Sequence, residues 1–384
     1  MMKIVIAPDS FKESLSAMAV ATCIEKGFLQ IFPNSDVIKI PLADGGEGTV
    51  DVLVDALNGE RQHQDVQGPI SGNVNAVWAL LHEGQSKTAL IEIAAASGLD
   101  LITPEQRNPL IATSFGTGQS ILQALDLGVE KIIIGLGGSA TNDGGAGILQ
   151  ALGGQLLDAQ GNQLPVGGAA LVDLAAIDLS NVDKRCAKIE FIVACDVSNP
   201  LTGENGASHV FGPQKGATLR MVELLDRALS HFADIAAQTT NIKQHKSAGF
   251  GAAGGAPLGL SLAFNVQIQA GIDMVLDILK VDDALQGADL VITGEGQMDN
   301  QTLNGKTPFG IAKRAQARNI PVIAIAGSLG FEVEALYDTI GSIFGTVRSP
   351  QALAQVLSEA EGNLTRTARN IAATLMMGNR LPLK

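Results

Sequence analysis

Aromatic residues are scarce, at 4% of a chain in which 46% of residues are hydrophobic. A core short of large rings must be filled by Ala, Val, Ile and Leu, the usual filling of strands covered by helices on both faces, which argues against an all-β sandwich. Cysteine is scarcer: Cys23, Cys186 and Cys195 show no metal-like pairing, and a reducing compartment is expected. No apolar run is long enough to span a membrane, and the opening MMKIVIAPDS turns polar too soon for a signal peptide. The expected location is therefore the cytoplasm. Positive charge is in deficit too, with 26 Lys and Arg against 39 Asp and Glu and a formal net charge of −13. That balance excludes nucleic acid and anionic membrane as partners over a broad surface. A small anion stays allowed where lysines, backbone N–H groups or a metal ion outweigh the field locally. Finally, none of His63, His82, His209, His231 and His245 lies in a glycine-rich strand-end loop, so neither a histidine base nor a zinc site is expected.

What the chain has in quantity is glycine, 44 residues gathered in short runs after apolar stretches rather than in a linker or a collagen-like period. At 384 residues it exceeds the usual size of one hydrophobic core, so two domains are expected. Apolar runs at residues 3–7 (KIVIA), 37–40 (VIKI), 131–135 (KIIIG), 190–194, 288–293 (ADLVIT), 321–326 and 342–347 read as buried strands, with helical patterns between them. Between 65 and 95 the texture changes to alternating residues broken by Pro69, Gly72 and Gly84, which predicts antiparallel strands. The expected fold class is α/β: a doubly wound, mostly parallel, Rossmann-like domain built from 1–65 and 285–384, with an inserted α/β domain at 66–284 that contains the antiparallel strands.

Ligands of open parallel α/β sheets bind outside the carboxyl ends of the strands, so the acids and glycines there are candidates. The loop at 135–147 lacks a Walker A lysine and a strict G-x-G-x-x-G spacing, which removes P-loop and nicotinamide enzymes. Its Gly137 and Gly138 let backbone N–H groups approach phosphate oxygens, and Ser139, Thr141 and Asn142 add neutral donors. Phosphoryl transfer needs a metal, a cation for the moving group and a carboxylate for the acceptor's proton. Asp9, Asp44, Glu47, Asp196, Glu295 and Asp299 supply carboxylates, and Lys12, Lys215 and Lys306 sit inside or beside the same loops. Taken singly, each acid could equally be a helix N-cap or first-turn charge. Asp196 stands out as a base, since it follows FIVAC at a strand end and precedes Ser198-Asn199-Pro200, which blocks an immediate helix. Lys12 could clamp a carboxylate or a phosphate.

The segments IAPDSFKESLSA (6–17), ADGGEGT (43–49), GLGGSATNDGGAG (135–147), ACDVSNPLTGENGA (194–207), FGPQKGA (211–217) and TGEGQMDNQT (293–302) resemble the bacterial glycerate kinase type 1 family almost end to end. The resemblance implies transfer of the ATP γ-phosphoryl group to D-glycerate with Mg²⁺, in a two-domain α/β structure with the active site in its cleft. It favours 2-phosphoglycerate as product, with 3-phosphoglycerate as the alternative. On that basis Asp196 is the expected base, and Lys12, Asp9 and Ser10 lie near substrate or phosphate. Asp44 and Glu47 line the cleft, the 135–147 loop with Lys215 and Lys306 contacts nucleotide phosphates, and Glu295 and Asp299 bind Mg²⁺. Gln297 departs from the pattern, occupying a position where the family often has Arg.

Overall fold

The computed structural model describes residues 1–44, 49–303 and 305–379. Its strands, in chain order, are β1 (Lys3–Ile6), β2 (Asp36–Lys39), β3 (Glu60–Gln67), β4 (Asn73–Glu83), β5 (Ser86–Glu92), β6 (Lys131–Gly135), β7 (Gln155–Leu157), β8 (Ala176–Asp178), β9 (Glu190–Ala194), β10 (Val266–Gln269), β11 (Leu290–Met298), β12 (Val322–Leu329) and β13 (Ser342–Gly345). Two compact units result: Met1–Ala56 with Gly271–Lys384, and Leu57–Ala270. These divisions differ from the expected 65 and 285. Residue 65 lies inside β3, whose mostly exposed and half-buried residues mark no boundary, and the helix Gly271–Ile278 joins the terminal unit, where Ile272 packs against Gly310.

The terminal unit holds a fully parallel sheet ordered β13-β12-β11-β1-β2. The β-branched KIVI of β1 is buried in its centre and ends at Pro8, which cannot donate to a ladder. The Ser16 hydroxyl accepts from the Ala19 N–H at 3.3 Å and starts the helix Ala17–Leu29, whose Val20, Ala21, Ile24 and Phe28 recur at helical spacing and are fully buried. They pack with Ile4, Ile6, Ile292 and Ile325 of the sheet and with Leu364, Ala368, Ile371 and Ala372 of the helix Ala360–Gly378. The two helices cross so closely that a Cβ on Gly27 would stand 2.5 Å from the Thr365 carbonyl oxygen. Because β2 flanks β1 on one side while β11, β12 and β13 continue on the other, the sheet reverses its winding between β1 and β11, and the loops leaving those strands open a crevice.

The inserted unit is built on a six-stranded sheet ordered β10-β9-β6-β5-β4-β3. Strands β3, β4 and β5 pair antiparallel, and β5, β6, β9 and β10 pair parallel, so β5 is where the two patterns join. One core packs Trp78, Ile91, Ile132, Ile134, Phe191 and Val193 against the helices on the sheet, and a second gathers around Ala228, Leu229 and Phe232 of the long helix Leu219–Thr240. The glycine-rich stretch 247–259 is ordered, forming a turn at Ala252–Gly254 and the start of the helix Ala256–Ala263. Among the described residues no helix is long and apolar enough to cross a membrane.

Candidate functional site

In the terminal unit the crevice between β1 and β11 is a cavity of about 600 Å³. Asp9, Ser10 and Lys12 reach it from the loop after β1, Asp44 from the segment after β2, Glu295 and Gln297 from β11, and Lys306 from the residue before the helix Thr307–Gln316. The loop after β1 is pinned by paired backbone hydrogen bonds between Phe11 and Leu15, by the burial of the Phe11 ring, and by the Asp9 N–H bonding the Gly294 carbonyl at 2.8 Å. Each buried acid is held by a hydroxyl. Thr307 Oγ1 donates to Asp9 Oδ2 at 2.8 Å while the Ser10 N–H donates to Oδ1 at 2.6 Å, and Thr302 Oγ1 donates to Glu295 Oε1 at 2.7 Å. Lys306 Nζ lies 3.4 Å from Glu295 Oε2.

Burial pushes the Asp9 pKa above the usual carboxylate range; the Thr307 and Ser10 hydrogen bonds pull it back, and the Asp44 charge raises it again. Burial also raises that of Glu295, where Thr302 and Lys306 pull down and the Asp9 charge pushes up. Three carboxylates thus line one cavity, with the Asp44 charge opposing ionisation of Asp9 and the Asp9 charge opposing that of Glu295, a donor set of hard oxygens that a divalent cation would relieve. Among the described residues no group of three or more His, Cys, Asp or Glu side chains is placed to ligate an ion by itself. Mg²⁺ does not require such a cluster, since it usually keeps several waters and takes one or two carboxylates. Asp299, expected beside Glu295, does not line the cavity; its Oδ1 accepts the Gln301 N–H at 2.9 Å and its Oδ2 the Gln297 amide at 3.2 Å. The motif around Glu47 lies outside the described residues.

In the inserted unit the loop after β6 is exposed at Gly137 and Gly138, where the chain turns with φ of +71° at Gly138, and buried from Ser139 onward. Asp143, which sequence reasoning passed over, is fully enclosed and accepts four hydrogen bonds: the Ser114 N–H and hydroxyl, both at 2.8 Å, the Gly145 N–H at 3.1 Å and the Gly147 N–H at 3.3 Å. Its burial raises its pKa and those donors draw it back. Lys215 is buried as well, Nζ donating to Ser139 Oγ at 2.9 Å and to the Thr141 carbonyl at 2.7 Å. Burial lowers its pKa to about 7, against the opposing pull of Asp143. Asn142 Nδ2 donates to Ser208 Oγ at 3.0 Å. Lys215 and Asn142 therefore brace the loop from within, and only its Gly137–Gly138 tip is open to a ligand. Asp196 is exposed in the loop after β9, beside β6 in the sheet.

Of the residues missed, Thr302 and Thr307 flank Lys306 and were legible only as hydroxyls close to a predicted acid. Asp143 sat inside a motif already singled out. Gln351, which also lines the cavity of the terminal unit, belongs to no pattern visible in the sequence.

Residues 4–376 match the model of the glycerate kinase family. The chain is similar to a glycerate kinase of Haemophilus influenzae, with 52% identity over 97% of this chain and 99% of that one. It is also similar to a glycerate 2-kinase of Escherichia coli, with 48% identity over 99% of each. A crystal structure from Salmonella typhimurium, provisionally assigned as a glycerate kinase 2, superposes with a TM-score of 0.90 at 52% identity, covering 99% of this chain and 100% of that one.

Proposed function

The chain belongs to the glycerate kinase family, and from that premise we propose that it transfers the γ-phosphoryl group of ATP to the 2-hydroxyl of D-glycerate, giving 2-phosphoglycerate. The observation that carries this reading is the crevice of the terminal unit, where Asp9, Asp44 and Glu295 stand with Lys12 and Lys306 around one cavity. Phosphoryl transfer is chiefly a matter of positioning and charge, and this cavity has both a divalent-cation donor set and cations for phosphate oxygens. Lys12 and Lys306 hold those oxygens. Asp9 and Glu295, fixed in place by Thr307 and Thr302, hold Mg²⁺ directly or through water, with Asp44 adding charge. When bound, the ion neutralises charge on the phosphates. Asp299, engaged by Gln297 and Gln301, supports the turn after β11.

In the inserted unit, Asp196 accepts the proton of the acceptor hydroxyl, and the exposed Gly137–Gly138 tip meets an anionic group of the substrates. Lys215 holds Ser139 and Thr141 in the shape that tip requires. The name of the Escherichia coli relative favours the 2-hydroxyl. The test is ADP release from ATP and Mg²⁺ with a panel of hydroxy acids, with ³¹P NMR of the product. D-glycerate should be the preferred acceptor, and phosphate should appear on the 2-hydroxyl. Background release with D-glycerate would end the proposal, and a 3-phosphate would correct its regiochemistry. In the same assay Asp196→Asn should lower kcat by about 100-fold; near-normal turnover would remove Asp196 as base.

A further inference from the structure

Glu295 and Asp299 are acids of one short motif, yet folding sends them to different places: Glu295 lines the cavity of the terminal unit and Asp299 does not. Thr302 joins them. It is fully buried in the short helical turn Asn300–Leu303, it takes no part in the cavity wall, and its hydroxyl is used twice. The Asp299 N–H donates to Thr302 Oγ1 at 3.3 Å, and Thr302 Oγ1 donates to Glu295 Oε1 at 2.7 Å. An N–H cannot accept and an ionised carboxylate cannot donate, so the direction of this chain is forced from Asp299 through Thr302 to Glu295.

The turn that holds this hydroxyl is built by Asp299. Its Oδ1 accepts the Gln301 N–H at 2.9 Å, its carbonyl the Thr302 N–H at 3.1 Å, and its Oδ2 the Gln297 amide at 3.2 Å. An aspartate that accepts the N–H two residues on closes a turn as a backbone carbonyl would. Its side chain is also wedged, since a Cβ on Gly330 would stand 2.8 Å from the Asp299 Cβ. At the other end of the chain the two oxygens of Glu295 are sorted. Oε1 is taken by the buried hydroxyl, whereas Oε2 lies 3.4 Å from Nζ of Lys306, itself a residue of the cavity wall. A carboxylate tied back by one oxygen offers a cation the other rather than a chelating pair.

We propose that Thr302 and Asp299 are positioning residues for the cation: Asp299 sets the turn, the turn aims the Thr302 hydroxyl, and the hydroxyl fixes Glu295 so that its Oε2 meets Mg²⁺, directly or through water. This rests on the reading of the cavity as a Mg²⁺ and phosphate site. It replaces the expectation that Asp299 is itself a ligand, and it gives the two acids of TGEGQMDNQT unequal parts, one toward the ion and one toward the turn behind it.

The experiment is Mn²⁺ binding to the full chain, read by water-proton relaxation, with kcat and KM for D-glycerate measured alongside. The wild type should bind Mn²⁺, and Glu295→Gln should weaken it by about ten-fold or more. Thr302→Val, close in shape but without the hydroxyl, should weaken Mn²⁺ by about ten-fold and lower kcat while leaving KM for D-glycerate unchanged. Thr302→Ser should restore both. Asp299→Asn keeps a carbonyl oxygen for the Gln301 N–H and should bind Mn²⁺ as the wild type does, whereas Asp299→Ala should resemble Thr302→Val. An Asn variant as weak as the Ala variant would make the charge of Asp299 the active property and overturn its positioning role. Wild-type Mn²⁺ affinity in Thr302→Val, with Glu295→Gln impaired, would overturn the chain and leave the cation reading of the cavity standing, as would a Ser variant no better than Val. A wild-type chain that binds no Mn²⁺ would end the cation reading itself, and the proposal with it.

Discussion

The loop after β6 and the crevice between β1 and β11 share a sequence texture of glycine and acid at the end of a buried strand, yet they use it differently. In the inserted unit the glycines serve close packing. Gly144 donates its N–H to the Gly254 carbonyl, a Cβ on Gly259 would stand 2.2 Å from the Gly145 carbonyl oxygen, and the acid Asp143 is saturated by four donors. In the terminal unit Asp9 and Glu295 are each held by a hydroxyl, have raised pKa values and face a cavity. Glycine density therefore marks where backbones meet. Acids whose pKa is raised by burial and a neighbouring carboxylate around a cavity mark where a charged ligand is wanted.

The sharpest way to break this contrast is to add a methyl group where packing forbids it. Gly254 has φ of +67°, and a Cβ there would stand 2.0 Å from the Thr141 carbonyl oxygen. Backbone cannot yield as a side-chain tip can, so Gly254→Ala should cost about 4 kcal/mol or more in urea unfolding of the full chain. Gly72→Ala, at φ of +76° with nothing within 4 Å of its Cβ, should cost only about 1 kcal/mol. Similar losses for the two would show that Gly254, packed against Thr141 of the 135–147 loop, is an ordinary turn residue.

Glu295→Gln should behave in the opposite way. Burial already disfavours the ionised form, so the neutral side chain should leave the thermal midpoint unchanged or raise it, while turnover falls about 100-fold and the Mg²⁺ requirement rises. Wild-type turnover with an unchanged magnesium titration would remove Glu295 from the charged site.

The most gradual effect concerns Lys215. Its pKa is lowered to about 7 from 10.5, so below pH 7 both folded and unfolded chains hold the proton, and between 7 and 10.5 only the unfolded chain does. Raising the pH through that window should stabilise the wild type relative to Lys215→Met by up to about 1.4 kcal/mol per pH unit, with no such trend below pH 7. A difference in stability that stays flat from pH 6 to about 10 would mean the amine is not buried as described.

Much of the architecture was legible because it depends on local pattern. KIVI and KIIIG are apolar and β-branched enough to be central strands in any α/β context, and the alternation after residue 65 could only be antiparallel with a partly solvated face. The divisions at Leu57 and Gly271 were not legible, because they depend on which core accepts Ile272, and that is a matter of distant contacts. Within the candidate site, Asp9 and Glu295 could be named from their places at strand ends. Thr302 and Thr307 could not be given a role, since a threonine in a turn looks the same whether or not a carboxylate stands 2.7–2.8 Å away.

By itself the sequence determined that this is an α/β protein with acids and glycines at its strand ends, because hydrophobic period, chain-breaking residues and charge are properties of neighbours along the chain. It also carried, in its long motifs, the resemblance to a family of kinases. Tertiary structure alone decided which of those acids share a cavity, that Lys215 is a buried brace, and that Thr307 and Thr302 hold Asp9 and Glu295. The reason is physical: burial, charge repulsion and a shared hydrogen bond exist only between groups that folding brings together, and residues 9, 295 and 307 first meet there.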